Sequence, residues 1–387
     1  MISYFFIRFF GWWISLLPYS TLHGLGRVLG SIVFWSYRPL RKKAMSNLAI
    51  AFGQKLDERH RRRIARRSFQ NLMITLLEFF KIKKKHLSNL IHMNEPEKVL
   101  SLQAKGQGIV FLTGHQSNWE FPFLAINMLS PGGVAIGRPI KNARLYRWIL
   151  SIRQMNGGRI IVPKQAIKEG LKMLRKGKYI GIVGDQALPE SDYSYPLFGT
   201  RTWISTAPAL LAYRTQSPII VGTMRRTKAG YELSGSDPLW PNLDLPMKDS
   251  ICQLMDRAMS HFEKSISDSP DQWLWIHDRW KQQTIDHVKR AYRYGFILVI
   301  LPITPDATLE EDLKKIYPRS FLSFVKPEQE VLLASRDWRY QLVLDFANLP
   351  KVRRHFLSLG AVKAISLTHQ TMKQELVKKE CQHTVSF

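Results

Sequence analysis

The apolar and polar positions divide the chain into three stretches of different character. Residues 2–17 read ISYFFIRFFGWWISLL, with Arg8 the one charge. As a helix this run would be about 24 Å long, short of a hydrocarbon core of roughly 30 Å. Pro18 then interrupts, and residues 22–35 supply a second apolar stretch. Trp12, Trp13, Tyr19, Trp35 and Tyr37 carry the amphipathic rings that favour a membrane–water interface. No small-x-small cleavage site follows, so a removed signal peptide is not expected. A tilted span, a helical hairpin dipping into one leaflet and an amphipathic surface anchor all fit the pattern, against the plainer alternative of an aromatic hairpin in a soluble core.

From residue 100 to 285 strand-like and helix-like segments alternate. Short apolar runs at 108–112 (GIVFL), 133–136, 159–162, 179–184 (YIGIVG), 219–223 and 230–234 read as strands. Segments 119–128, 143–155, 166–176, 207–214 and 250–266 read as helices. Such alternation predicts an α/β domain with a largely parallel central sheet. Beyond residue 286 the spacing changes. Strands are expected at 296–301, 330–334 and 340–344, and helices at 309–316 and 352–359, the second ended by Gly360. The expected organisation is an N-terminal membrane anchor over 1–40, a catalytic-type α/β domain over 41–285 and a small α+β module over 286–387.

Composition narrows the partners. Fifty-seven Lys+Arg against 30 Asp+Glu give a net charge of +27, so a polyanionic partner is implied. A hydrophobic fraction of 45% excludes an intrinsically disordered chain. The two cysteines, Cys252 and Cys381, make neither a disulfide framework nor a zinc finger. Residues 41–85 hold fourteen Lys/Arg and only Asp57, Glu58 and Glu78 as acids. Placed just after the apolar segment, that block is expected to stay cytoplasmic and to attract anionic headgroups. Its apolar positions (Ile64, Phe69, Leu72, Met73, Leu76, Leu77, Phe80) approach helical spacing. Nucleic acid is not expected, because the block has no aromatic base-stacking platform or helix-turn-helix. Gly24, Gly26 and Gly30 imitate a dinucleotide fingerprint, but no strand precedes them. Close helix packing explains them better.

Ligands of open α/β sheets bind beyond the C-terminal strand ends, so polar residues following strands come first. Residues 113–120 read TGHQSNWE. His115 lies at the sheet edge, and Glu120, in the first turn of the next helix, is placed to reach back to the imidazole. A carboxylate on one ring nitrogen sets the tautomer and raises the basicity of the other. That makes a general base for deprotonating a substrate hydroxyl. No second histidine completes a zinc motif, and no G-x-S-x-G nucleophile elbow occurs. The other strand end is Gly184-Asp185-Gln186. Asp185 can order a nearby arginine or bind a polar group of the substrate. Metal binding would need a second clustered carboxylate. Between the two ends lie Arg138, Lys141, Asn142, Arg144, Arg147 and Arg153, whose guanidinium forks suit a phosphate.

In order, H-x4-E (His115–Glu120), GRPIKN (137–142), the Arg153 stretch, GDQ (184–186), Phe198-Gly199, TAPALLAYRTQSPII (206–220) and WLWIHDRWK (273–281) resemble the lysophospholipid acyltransferase superfamily. Among its branches, the set resembles the late acyltransferases of bacterial lipid A biosynthesis. The resemblance covers about residues 1–285. Related glycerol-phosphate enzymes usually show H-x4-D and a later EGT; neither occurs here. The resemblance implies transfer of a fatty acyl chain from an acyl carrier protein thioester to a hydroxyl of a lipid A precursor. No metal or cofactor is implied, and the site is implied to face the cytoplasm at the inner membrane. By motif position His115 would be the base and Glu120 its orienting partner. Arg153 and Asp185 would be further active-site residues, with Arg138, Asn142 and Gln186 near the substrate. Another lysophospholipid or glycolipid acceptor, or a non-catalytic basic membrane adaptor of the same fold, are the alternatives. The tail beyond 285 has no counterpart in the family pattern.

Overall fold

Pro18 divides the apolar N-terminus into two helices, α1 (Ile2–Leu16) and α2 (Tyr19–Ser36), because proline cannot donate the backbone hydrogen bond that helix continuation requires. They are followed by α3 (Arg38–Phe52) and the long α4 (Glu58–Glu78). Among the described residues no helix is long and apolar enough to cross a membrane. The expected tilted span is therefore unsupported: α1, at 15 residues, reaches only about 22 Å. Its aromatic rings are nonetheless exposed at Phe5, Phe6, Phe9, Trp12 and Trp13, as are Val28, Ile32 and Trp35 of α2. Gly26 and Gly30 sit where α2 crosses α4. A Cβ on Gly26 would fall 2.6 Å from Ile74 Cγ1, and one on Gly30 would run into the Gln70 backbone.

This computed structural model describes residues 2–282, 288–304, 306 and 308–377. They fall into two units: Met1–Ser36, Arg63–Gln186 and Ile204–Leu274 in the first, and Tyr37–Arg62, Ala187–Trp203 and Trp275–Phe387 in the second. The expected boundary at 285/286 and Cys381 lie outside the described residues.

The first unit is built on a seven-stranded sheet. After α5 (Lys84–Leu90) the chain forms β1 (Ile91–Met93), α6 (Glu97–Ala104), β2 (Ile109–Thr113), α7 (Phe121–Leu129), β3 (Val134–Ile136), α8 (Ala143–Arg153), β4 (Arg159–Ile161), α9 (Ala166–Leu174) and β5 (Tyr179–Val183). A hairpin, β6 (Ser194–Leu197) and β7 (Thr200–Trp203), belongs to the second unit. Then come α10 (Ala207–Thr215), β8 (Ile219–Arg226), β9 (Tyr231–Gly235) and α11 (Met247–Asp268). Strand order is β1-β9-β8-β2-β5-β3-β4. β8, β2, β5, β3 and β4 run parallel, β9 returns antiparallel on β8, and β1 runs with β9. The near-continuous apolar runs of β2 and β5 follow from helices covering both faces. In the hairpin turn Phe198 and Gly199 both have positive φ (52° and 75°), the two-residue geometry that matches strand twist.

The second unit carries its own four-stranded sheet, formed by β10 (Phe296–Ile300), β11 (Phe321–Val325), β12 (Leu342–Asp345) and β13 (Lys363–Ser366) in the order β11-β10-β12-β13. All its pairings are parallel. The helices α12 (Leu309–Ile316), α13 (Gln329–Ala334), α14 (Pro350–Ser358) and α15 (His369–Leu376) alternate with the strands. This module is thus α/β, not the expected α+β, because parallel neighbours need crossovers and the helices supply them. Residues 330–334, expected as a strand, are the crossover helix α13: Leu332 is buried while Val331 is exposed. Part of the basic block serves this unit. Lys42 Nζ donates to the carbonyls of Leu357 and Ala361 at the C-terminal end of α14, and Lys43 pairs with Asp278 at 2.8 Å.

Candidate active site

Strand register assembles the centre of the site. β2 and β5 are adjacent parallel strands with Thr113 opposite Val183. His115 and Asp185 each lie two residues beyond that pair, so they emerge side by side at the C-terminal edge of the sheet. His115 Nδ1 and Asp185 Oδ1 are 2.7 Å apart. The other oxygen of Asp185 accepts from the His115 backbone N–H and from Trp273 Nε1, both at 2.8 Å. The Asp185 side chain is 2% exposed and the imidazole 16%. A carboxylate at Nδ1 holds the proton there and directs the Nε2 lone pair outward. Gly114 permits this approach, since a Cβ there would run into the Phe262 ring and sit 3.2 Å from Asp185 Oδ2.

The imidazole's partner is therefore Asp185, not Glu120 as the H-x4-E spacing predicts. Glu120 lies past a left-handed turn at Ser117 (φ 49°), and it faces the last residue of α8 instead. Arg153 Nε and Nη2 donate to its two oxygens at 2.7 and 2.6 Å. This fork-on-fork pair is the strong form of an ion pair. Burial opposes the charge of Arg153, but the hydrogen bonds and charge of Glu120 outweigh it, so the guanidinium pKa is raised. The four residues singled out at the two strand ends and in α8 thus form two pairs, with the carboxylates exchanged. Asn142 is the N-cap of α8, its Oδ1 accepting from Leu145 N at 3.0 Å. Arg138 and Gln186 are exposed, on the loops following β3 and β5. Among the described residues no group of three or more His, Cys, Asp or Glu is arranged to hold a metal ion.

A mainly apolar cavity lies between the sheet and α7. Thr113, Trp119 and Val183 line it, which brings one end within two residues of both His115 and Asp185. The Trp119 ring centroid is 5.3 Å from that of His115. The space exists because small residues floor it. Gly181 pairs with Ala135 in one register row, and Gly222 pairs with Gly235 in another. Beside the site, α1 packs along α8: Arg8 stands over the Trp148 ring at 5.0 Å and Arg144 over Phe5 at 5.8 Å. The exposed aromatic face of α1 therefore adjoins the helix carrying Arg144, Arg147 and Arg153.

Residues without an expected role complete the site: Trp273, the first residue of WLWIHDRWK, Trp119, inside H-x4-E, and the polar row on α4 facing the His115 loop. Asn71, Thr75 and Glu78 of that row are buried, whereas Leu76, read as part of the apolar face, is exposed.

The sequence profile of a family described as "Bacterial lipid A biosynthesis acyltransferase" matches residues 1–282. The Escherichia coli (strain K12) lipid A biosynthesis lauroyltransferase is 24% identical over 281 residues, covering 70% of this chain and 88% of that protein. The palmitoleoyltransferase of the same organism and a lipid A biosynthesis acyltransferase of Shigella flexneri are each 23% identical over 288 residues, covering 70% of this chain and 89% of each relative. Residues 283–387 lie outside the profile match.

Proposed function

Because the chain belongs to the bacterial lipid A biosynthesis acyltransferase family, we propose that it transfers a fatty acyl chain from an acyl carrier protein thioester to a hydroxyl of a lipid A precursor. In this reading His115 Nε2 removes the proton from the acceptor hydroxyl as its oxygen attacks the thioester carbonyl. Asp185 holds the ring tautomer and stabilises the imidazolium that forms. The tetrahedral intermediate collapses with cleavage of the C–S bond. The thiolate leaves and takes the proton back from His115, giving ester and free thiol. The acyl chain occupies the cavity beneath α7, and Arg138, Arg144 and Arg147 meet the acceptor's phosphate. The Glu120–Arg153 pair fixes the end of α8 against the catalytic loop.

The observation that carries this reading is the Asp185–His115 pair opening on an apolar cavity. A base without its own nucleophile, next to a slot for hydrocarbon, suits acyl transfer between two bound substrates. The exposed aromatic face of α1, together with Arg63 and Arg66 on α4 in the same unit, supports an interfacial anchor on anionic lipid. We propose that it works at the cytoplasmic face of the inner membrane, the side that Lys/Arg following an apolar segment favour.

The test is acyl transfer from acyl carrier protein to a lipid A precursor in membranes holding the full chain, read by mass spectrometry. His115→Ala is expected to abolish it. Undiminished transfer by His115→Ala would overturn the mechanism, and acylation of lysophospholipid in place of the lipid A precursor would overturn the acceptor.

A further inference from the structure

We infer that the buried polar row Asn71–Thr75–Glu78 on α4 is a set of positioning residues. It holds the strained loop 115–120 in the geometry that the His115–Asp185 and Glu120–Arg153 pairs require. The inference rests on the acyl-transfer reading of that site.

Ser117 stands at the loop's apex with φ 49°. A non-glycine residue persists in that region only where its surroundings hold it. Part of the hold comes from α11 and the segment after it, where Gln116 Nε2 donates to Ser265 Oγ at 2.8 Å and Leu274 N donates to the His115 carbonyl at 3.1 Å; α4 holds the apex. The Ser117 carbonyl accepts from Thr75 Oγ1 at 2.9 Å and from Asn71 Nδ2 at 3.1 Å. One residue on, Asn118 Nδ2 donates to Glu78 Oε2 at 2.8 Å, while Asn118 Oδ1 accepts from the Glu120 backbone N–H at 3.2 Å. Positions 71, 75 and 78 are spaced by four and three, so they share one helix face. Every contact they make with the loop falls between the two functional side chains. The backbone N–H of Ser117 donates to Gln272 O at 2.7 Å, and Asn71 Nδ2 donates to the same carbonyl at 3.2 Å.

A face that merely packed against the loop would be apolar. Instead this one buries a carboxylate, which is costly unless it is paired. Glu78 is kept ionised. Burial alone would raise its pKa, but the His23 hydrogen bond, the Arg226 charge and the Tyr231 hydroxyl together lower it. His23 Nε2 lies 2.6 Å from Glu78 Oε1 and Arg226 Nη2 lies 3.7 Å from Oε2. Arg226 in turn bonds Asn71 Oδ1 and the Tyr231 hydroxyl, so the row is one network. His23 belongs to α2, the helix whose other face presents Val28 and Ile32 to the surroundings. The seating of the N-terminal helix and the shape of the catalytic loop therefore meet at Glu78.

The test compares Thr75→Val, which removes the hydroxyl with little change of shape, with Thr75→Ser, which keeps it, in the full chain in membranes. Thr75→Val is expected to lower kcat by about tenfold or more, with KM for both substrates unchanged, the pattern of misplaced but still bound reactants. Thr75→Ser is expected to restore the rate. A second, activity-independent readout is the rate at which diethylpyrocarbonate modifies His115, followed by peptide mass spectrometry. It is expected to change in Thr75→Val and in Glu78→Gln, and to return to the wild-type value in Thr75→Ser. Wild-type kcat in a folded Thr75→Val protein, or equal losses in Thr75→Val and Thr75→Ser, would overturn the inference. If wild-type protein transfers no acyl group, the acyl-transfer reading fails and the modification rates alone decide whether the row positions the loop. Unchanged His115 reactivity in both variants that lose a contact then overturns it.

Discussion

Asp185 and Asp345 both lie at or just beyond the C-terminal ends of parallel strands, in two different sheets. Asp185 lies two residues beyond β5 and Asp345 is the last residue of β12, and both are buried. Their partners differ. Asp345 accepts from the backbone N–H groups of Ala347 and Leu349, at 3.0 and 2.7 Å, and pairs with Arg353 on α14. Two of those donors are backbone amides and the third is a guanidinium, so the carboxylate closes the loop between β12 and α14. Asp185 gives one oxygen to an imidazole, whose second nitrogen can gain and lose a proton, and that imidazole adjoins an apolar cavity. A buried carboxylate at a strand end is thus made chemical by its partner and its neighbouring space, not by its place in the fold.

The largest effect expected from this contrast is on catalysis. Asp185→Asn should lower the acyl-transfer rate by about 10²–10⁴ with the fold retained, as measured by turnover and circular dichroism on the same sample. Asp345→Asn should do the reverse. Breaking its pair with Arg353 should cost about 3 kcal/mol of stability in urea denaturation, with turnover per folded molecule unchanged. If the two variants behaved alike, the contrast would be void. The cavity beside the His115–Asp185 pair offers a finer probe. A Cβ on Gly181 would meet Ala135 Cβ and Phe123 at 3.5 and 3.6 Å, ordinary contacts. Gly181→Val, which reaches further, should therefore shift kcat/KM toward shorter acyl donors by about tenfold, and an unaltered chain-length preference would move the acyl chain elsewhere. The smallest effect belongs to Asn142, the cap of α8. Asn142→Ala should cost about 1 kcal/mol without raising KM, and a raised KM at full stability would make it a substrate contact instead.

What the sequence made legible follows from which interactions are local. GIVFL and YIGIV read as buried parallel strands because continuous apolar runs are what two covered faces require, and β2 and β5 lie there. Leu309–Ile316 reads as a helix because its acidic start and basic end match the helix dipole. FLSFV at 321–325 went unread: it pairs on one side only, with β10, and every residue is half-buried, leaving a weak pattern. The site divides the same way. His115, Glu120, Arg153 and Asp185 stand out singly by their place after strands or in a motif. The pairing of His115 with Asp185 depends on β2 lying next to β5 in the Thr113–Val183 register, and that of Glu120 with Arg153 on where α8 ends; spacing along the chain encodes neither. The α4 row hides for a related reason. Asn71, Thr75 and Glu78 look like solvent-facing polar positions until the loop they hold is in place.

The most direct measurement of the central claim is the nitrogen-15 spectrum of His115 at a pH where the imidazole is neutral, in wild-type protein and in Asp185→Asn and Glu120→Gln. The Asp185 pairing predicts a protonated Nδ1 and an unprotonated Nε2 in wild-type protein. It also predicts that Asp185→Asn alters both resonances while Glu120→Gln leaves them in place. A proton on Nε2 in wild-type protein, or resonances that follow Glu120 and ignore Asp185, would contradict it.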